Sequence, residues 1–202
     1  MTAGWRHGVL RGGAKVLPAG PLVVKLGGSL LARTAWATAI ADLLAEQVRP
    51  HLLVVGGGPV VDGLRAIDAA APQSAAAMHW WAIEALGITA RVVAEALGLP
   101  LVTSPSGTTH GVLDVPAWLR GDASLPVGWH VTSDSIAAVA ARAAGAGLLL
   151  VKSVPPPAHD LAMAAVAGWV DPHFPAVAAA LDRIAWAAPV SPTTAGRPPA
   201  GR

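Results

Sequence analysis

Short apolar runs alternate along this chain with longer stretches of helical character. Leu22-Val23-Val24-Lys25-Leu26 is a short β-branched run and predicts a buried strand. Gly27-Gly28-Ser29 follows, and residues 30–47 have helical length and good helix formers, with Pro50 as a stop. Residues 52–55 predict a second buried strand, followed by Gly56-Gly57-Gly58, and residues 59–68 a helix with Pro59 in its first turn. Residues 74–97 predict a longer Ala-rich helix, with a break at Gly87 as one option. Strands are then expected at 101–103, 112–115, 130–132 and 148–152, with one helical turn at 116–120 and a helix at 133–144. Pro155-Pro156-Pro157 can continue no element. Residues 174–188 read as a last amphipathic helix. Strands alternating with helices imply an α/β fold with a largely parallel sheet. Residues 1–20 are Gly-rich and aperiodic and read as a flexible arm. Residues 21–188 then form a single domain, and residues 189–202 a disordered tail.

Composition narrows the classes. The 202 residues are 53% apolar and 13% charged, which excludes a charge-rich disordered chain and suits one domain. No clean apolar window of about 18 residues occurs, which argues against a membrane span. Arg6, Arg11 and Lys15 are followed by no apolar core of a signal peptide. There is no cysteine, so disulfides, thiolate metal sites and thiol nucleophiles are excluded, and a cytoplasmic address is the simplest reading. The net charge of +2 is scattered and gives nucleic-acid binding little support. Apolar helices rich in Ala and Trp point to a self-association face, hence a homo-oligomer.

Four constellations carry candidate chemistry. In the first, Lys25 ends a strand and Gly27-Gly28-Ser29 leads into a helix. Glycines there let backbone approach a ligand, and a helix N-terminus suits phosphate. An ordinary tight turn with an incidental lysine is the alternative. The second, Gly56-Gly57-Gly58-Pro59, is a second anion or substrate cradle, or simply a loop. In the third, Thr132-Ser133-Asp134-Ser135, any of the first three could cap a helix, or Asp134 could orient a lysine. The fourth places Lys152-Ser153 after the apolar run 148–151. Two of only three lysines thus fall at strand carboxyl ends, where ligands of open α/β sheets gather.

Taken in order and spacing, these motifs resemble the amino-acid kinase superfamily, whose members include acetylglutamate, aspartate, uridylate and isopentenyl phosphate kinases. The resemblance rests on residues 23–29, 54–59 and 133–138 and spans residues 21–186 in layout. A closer resemblance is to a short branch that looks like the methanofuran-pathway aminomethylfuran phosphate kinases of one-carbon metabolism. It rests on His79-Trp80-Trp81-Ala82-Ile83, on residues 129–137, and on Val151-Lys152-Ser153.

The resemblance implies a three-layer αβα sandwich. It also implies transfer of the γ-phosphoryl group of ATP to a small-molecule phosphate acceptor, with Mg²⁺ held mainly by phosphates and water. Lys25, Asp134 and Lys152 would be catalytic. Gly27, Gly28, Ser29, Ser133 and Ser153 would bind nucleotide phosphates. Gly56, Gly57, Gly58, Arg65 and His79 would bind the acceptor, and no residue is assigned to a metal. An anionic acceptor phosphate needs no general base. His79 is equally readable as a buried core histidine, and Trp80 and Trp81 as core or interface. Asp171, before Pro172, reads as a helix cap. The chain departs from many superfamily members in lacking a late Gly-Gly-Met…Lys segment, and no lysine follows Lys152. Two alternatives therefore stand beside this kinase. One is an amino-acid or acetylglutamate-type kinase with Arg65 clamping a carboxylate. The other is a non-catalytic nucleotide- or oxyanion-binding protein of the same fold.

Overall fold

A computed structural model describes residues 4–11, 20–46, 50–106, 110–120, 125–155 and 161–190. In chain order the elements are β1 (Trp5–Arg11), β2 (Leu22–Leu26), a 3-10 segment (Gly28–Ala32), α1 (Trp36–Ala45), β3 (His51–Val55) and α2 (Gly58–Ala70). Then come α3 (Ala75–Leu97), β4 (Leu101–Val102), β5 (Gly111–Leu113), α4 (Val115–Leu119) and α5 (Ser133–Ala143). The last are β6 (Gly147–Val151), α6 (Leu161–Val166), α7 (Phe174–Ala178) and β7 (Ile184–Pro189). One sheet runs β1-β7-β6-β2-β3-β5-β4, parallel throughout except where β1 pairs antiparallel with β7.

The sheet has helices on both faces, because its central strands are apolar on both sides. Leu22, Val24, Leu53, Val55, Leu149 and Val151 pack with Ile40 and Leu43 of α1 and with Ala90 and Val93 of α3. Val23, Leu52, Val54, Leu148, Leu150 and Trp186 pack on the other face with Ile136 of α5 and Phe174 of α7. This is the α/β fold with a largely parallel sheet that the element alternation predicts.

The chain leaves the central β2 in two directions. β3, β5 and β4 extend the sheet one way, and β6 and β7 the other. The carboxyl ends of β2, β3 and β6 meet at this switch, the position where open α/β sheets form a crevice.

Four expectations are corrected. The arm expected over 1–20 is a strand at Trp5–Arg11, because β7 offers it an edge. Residues 1–3 and 12–19 lie outside the described residues, as does the expected tail from 191 onward. The helix expected over 174–188 stops at Ala178, and Ile184–Pro189 is a strand. That segment lies between β6 and β1 with Trp186 fully buried, so ladder bonds on both sides outweigh a helical pattern. The helix expected over 30–47 is divided by Ala35 in the left-handed conformation (φ 56°). Residues 130–132 form no strand, and Thr132 instead caps α5. At Gly87, α3 runs on unbroken. A Cβ there would come within 2.7 Å of Pro116 Cγ, so the glycine serves close packing of α3 on α4.

Arg11 closes the edge. Its Nη1 donates to the carbonyls of Ala178, Ala179 and Leu181 at 2.8, 2.9 and 3.1 Å, at the C-terminus of α7. Charge-assisted bonds to orphan helix carbonyls stabilise both elements. Arg11→Ala is expected to lower the unfolding free energy by about 1–3 kcal/mol, read from urea melts.

Candidate functional site

Strand alternation brings the two lysines together. On β2, Val23 and Lys25 face α5, while Leu22, Val24 and Leu26 face α1 and α3. On β6, Leu148 and Leu150 face α5, and Lys152 continues that alternation beyond the strand end. Lys25 lies opposite Leu150 in register. The two ammonium groups therefore emerge on one face, above the N-terminus of α5.

Asp134, in the first turn of α5, receives both. Lys25 Nζ lies 2.8 Å from Asp134 Oδ1, and Lys152 Nζ donates to Oδ2 at 2.6 Å. The Lys25 contact acts on Asp134 chiefly through its charge. Lys25 and Asp134 are 4% exposed, and burial of this kind is tolerated only with opposite charge at hand. Burial acts most strongly on the Asp134 carboxyl and pushes its pKa up. The charges of Lys25 and Lys152 outweigh it and hold the pKa below the ordinary value. Burial first, and the charge of Lys25 second, bring the Lys152 ammonium down to about 8, against the pull of Asp134. Lys152 Nζ also lies 5.9 Å from the ring centre of Trp186.

The two glycine loops touch each other. A Cβ on Gly28 would collide with the backbone of Gly56 and Gly58, and a Cβ on Gly58, which adopts φ 48°, would collide with the Gly28 carbonyl. Both positions need glycine for this backbone contact as well as for any ligand. The amides at the loop starts are committed: Gly27 N–H donates to Val151 O and Gly56 N–H to Leu26 O, each at 2.8 Å. This corrects the expectation that the Gly27 amide faces a phosphate.

A cavity of about 240 Å³ opens over this junction. Lys25, Asp134, Lys152, Gly28, Ser29 and Ser133 line it, as do Gly56, Gly57, Gly58, Arg65 and His79. Gly27 and Ser153 do not. Ser153 reaches the rim only through Ser29, their hydroxyls being 3.0 Å apart. His79 is buried, its pKa lowered chiefly by that burial, and its Nδ1 accepts from Gly128 N–H at 3.4 Å. Arg65 is half-exposed, pairs with Asp62 at 2.8 Å, and lies 5.1 Å from the ring centre of Trp129. Trp80 and Trp81 are exposed, which settles them as surface rather than core.

Two residues carry more than the sequence assigned. Trp129 lines the cavity, and its Nε1–H donates to Asp68 Oδ2 at 2.9 Å, so an aromatic wall is fixed beside Arg65. Its only signal was its place at the start of the segment 129–137. Asp171 is a cap, as expected, but of two helices at once. Its carboxylate accepts from Thr132 N–H and Oγ1–H and from Ser135 N–H and Oγ–H, at 2.6–3.0 Å, fixing the turn that carries Asp134. It also accepts from His173 N–H and Phe174 N–H at 3.1 and 2.8 Å. Local sequence showed only the second role, because α5 lies far away along the chain.

Among the described residues no cluster of three or more His, Cys, Asp or Glu is placed to hold a metal, and both Asp134 oxygens face lysines. The donor set suits an anion: two ammonium groups against one carboxylate, glycine backbone, and the N-termini of α2 and α5. A polyphosphate fits these residues, and a cation accompanying it would be held mainly by its phosphates.

Asp171→Ala leaves several buried donors without an acceptor and is expected to cost about 3–5 kcal/mol in denaturant melts. Asp171→Asn keeps the shape and one carbonyl oxygen, and is expected to lose less.

Residues 20–113 match the model of the amino acid kinase family. No curated protein matches the chain. Among solved structures, uridylate kinase from Archaeoglobus fulgidus is 18% identical, with a TM-score of 0.50 over 70% of this chain and 69% of that one. UMP kinase from Ureaplasma parvum is 14% identical, with a TM-score of 0.56 over 78% of this chain and 84% of the other. No helix among the described residues is long and apolar enough to cross a membrane. Residues 20–113 thus carry the match to the amino acid kinase family, and the chain shares the fold of these two kinases.

Proposed function

We propose that the protein is an ATP-dependent kinase of a small molecule, transferring a phosphoryl group to a phosphate-bearing acceptor. The observation that carries this reading is the pair of strand-end lysines bridged by one buried carboxylate, facing two apposed glycine loops across one cavity. The family match over residues 20–113 supports it.

In this reading ATP is the phosphoryl donor, and Mg²⁺ comes with it. The chain's residues supply position and charge. Lys25 neutralises oxygen charge on the group in transit, as phosphoryl transfer requires. Asp134 orients both ammonium groups. Lys152 takes the place of the lysine that many relatives carry later in the chain. Gly28, Gly57 and Gly58 let phosphates approach backbone, and Ser29 and Ser133 add hydroxyls at the rim. Arg65 and His79 line the acceptor end, with Trp129 as a flat wall. An acceptor phosphate is anionic at neutral pH and attacks without a general base.

The sequence motifs favour aminomethylfuran phosphate as that acceptor, giving a diphosphate. A second reading, a non-catalytic binder of nucleotide or oxyanion, draws on one observation: no lysine follows Lys152.

Phosphorus NMR of the protein with ATP, Mg²⁺ and aminomethylfuran phosphate tests both. New diphosphate signals are expected, and Lys25→Ala is expected to slow their appearance by about 10²–10³. ATP consumption without the furan diphosphate would discard the acceptor and keep the kinase. ATP binding without turnover would favour the binder.

The Lys152 ammonium titrates near 8 and is the anion-binding form, so kcat/KM is expected to fall as pH rises through that value. Lys152→Arg, whose guanidinium stays charged, is expected to move that fall to higher pH in the same assay.

A further inference from the structure

The cavity has two kinds of lining. The ammonium groups of Lys25 and Lys152 enter from strand ends, whereas α2, α3 and the segment before α5 bring apolar and aromatic side chains. Val61 lies one turn before Arg65 on α2, and Ile83 one turn after His79 on α3, so each shares a helix face with a polar lining residue. Trp129 and Val131 complete this wall. The proposed transfer uses the ammonium groups, and the apolar wall bears on which acceptor is taken.

Trp129 belongs to no helix or strand, yet its ring is fixed from α2. Asp62, Arg65 and Asp68 are spaced by three along that helix and lie along one side of it. Asp62 pairs with Arg65 at 2.8 Å, the Arg65 guanidinium lies 5.1 Å from the indole ring centre, and the indole Nε1–H donates to Asp68 Oδ2 at 2.9 Å. Asp68 Oδ1 accepts in turn from Gln73 N–H at 3.0 Å. That backbone bond first, and the indole bond second, hold the Asp68 carboxyl below its ordinary value, so a charged acceptor meets the indole at neutral pH. Beside the ring, Gly128 N–H donates to His79 Nδ1 at 3.4 Å. Asp68 itself does not line the cavity, so its bond to Trp129 orients the ring rather than a ligand.

An oriented, partly buried indole among aliphatic side chains favours a flat, unsaturated ligand, through stacked or edge contacts that a puckered ring of the same size cannot reproduce. The lysines require an anionic group on the same molecule. We infer that Trp129 is a specificity-determining residue that selects phosphate monoesters carrying a flat, unsaturated ring, and that Asp68 is the positioning residue that sets its indole. The inference rests on the proposed reading of this cavity as an acceptor site, and it names the residues that choose the acceptor.

Isothermal titration calorimetry of the full chain with benzyl phosphate and with cyclohexylmethyl phosphate, in the absence of ATP, tests it. The two probes differ in the flatness of one ring. Benzyl phosphate is expected to bind roughly tenfold more tightly. Trp129→Leu is expected to abolish that preference while both phosphates still bind, and Trp129→Phe to keep part of it. Asp68→Leu removes the acceptor and is expected to reduce the preference about threefold. Asp68→Asn keeps a carbonyl oxygen for the indole N–H and is expected to retain it. In a Trp129→Phe background, whose ring has no N–H, Asp68→Leu is expected to change nothing further, which a general loosening of the fold could not produce. Equal affinity of the unmodified protein for the two phosphates, or binding of neither, would overturn the inference. So would a preference that survives Trp129→Leu. An equal effect of Asp68→Leu in both backgrounds would overturn the positioning role. No phosphoryl transfer occurs in this assay, so the kinase reading stands or falls separately in the phosphorus NMR experiment.

Discussion

One carboxylate between two ammonium groups organises this molecule. Asp134 sits in the first turn of α5, where the helix dipole favours a negative charge, and both lysines reach it from the sheet below. Without it, two nearly buried like charges would repel in a medium that screens poorly. With it, the trio is held in place yet keeps a net positive charge. That residual charge makes the site receptive to an anion. The arrangement also ties β2, β6 and α5 together, so the chemistry and the central fold share the same contacts.

The trio is held by a further tier of polar contacts. Asp171 gathers donors from the Thr132–Ser135 turn and from the start of α7, so the segment bearing Asp134 cannot drift without breaking bonds at both helices. On the other side, Gly28 and Gly58 let two loops lie backbone to backbone, closing the floor beside Lys25. A side chain at either glycine would part the loops and displace the lysine with them. Rigid support on both flanks is what the proposed phosphoryl transfer would require, because reorganisation during the transfer would consume the advantage of preset charge.

Among the described residues after Lys152, Ile184–Pro189 build sheet, and none of them lines the cavity. β7 inserts Trp186 beneath Lys152, and β1 returns to cover β7. The edge is sealed by the N-terminal strand, and Arg11 fastens it to α7. The proposed site accordingly depends on Lys152 as its second cation.

The sequence by itself determined the central parallel strands, the positions of both glycine loops and the identities of the charged residues at strand ends. Buried β-branched runs and glycines are local signals, and the alternation of side chains on β2 and β6 already commits Lys25 and Lys152 to one face. Tertiary structure decided what local patterns leave open. Ile184–Pro189 became a strand because β6 and β1 both offered backbone partners, and Trp5–Arg11 became ordered because β7 then had an edge to fill. Asp171 joined the site, and Trp129 became a wall, through contacts with residues distant in sequence. Such contacts depend on how elements pack in space, and no short-range pattern encodes them.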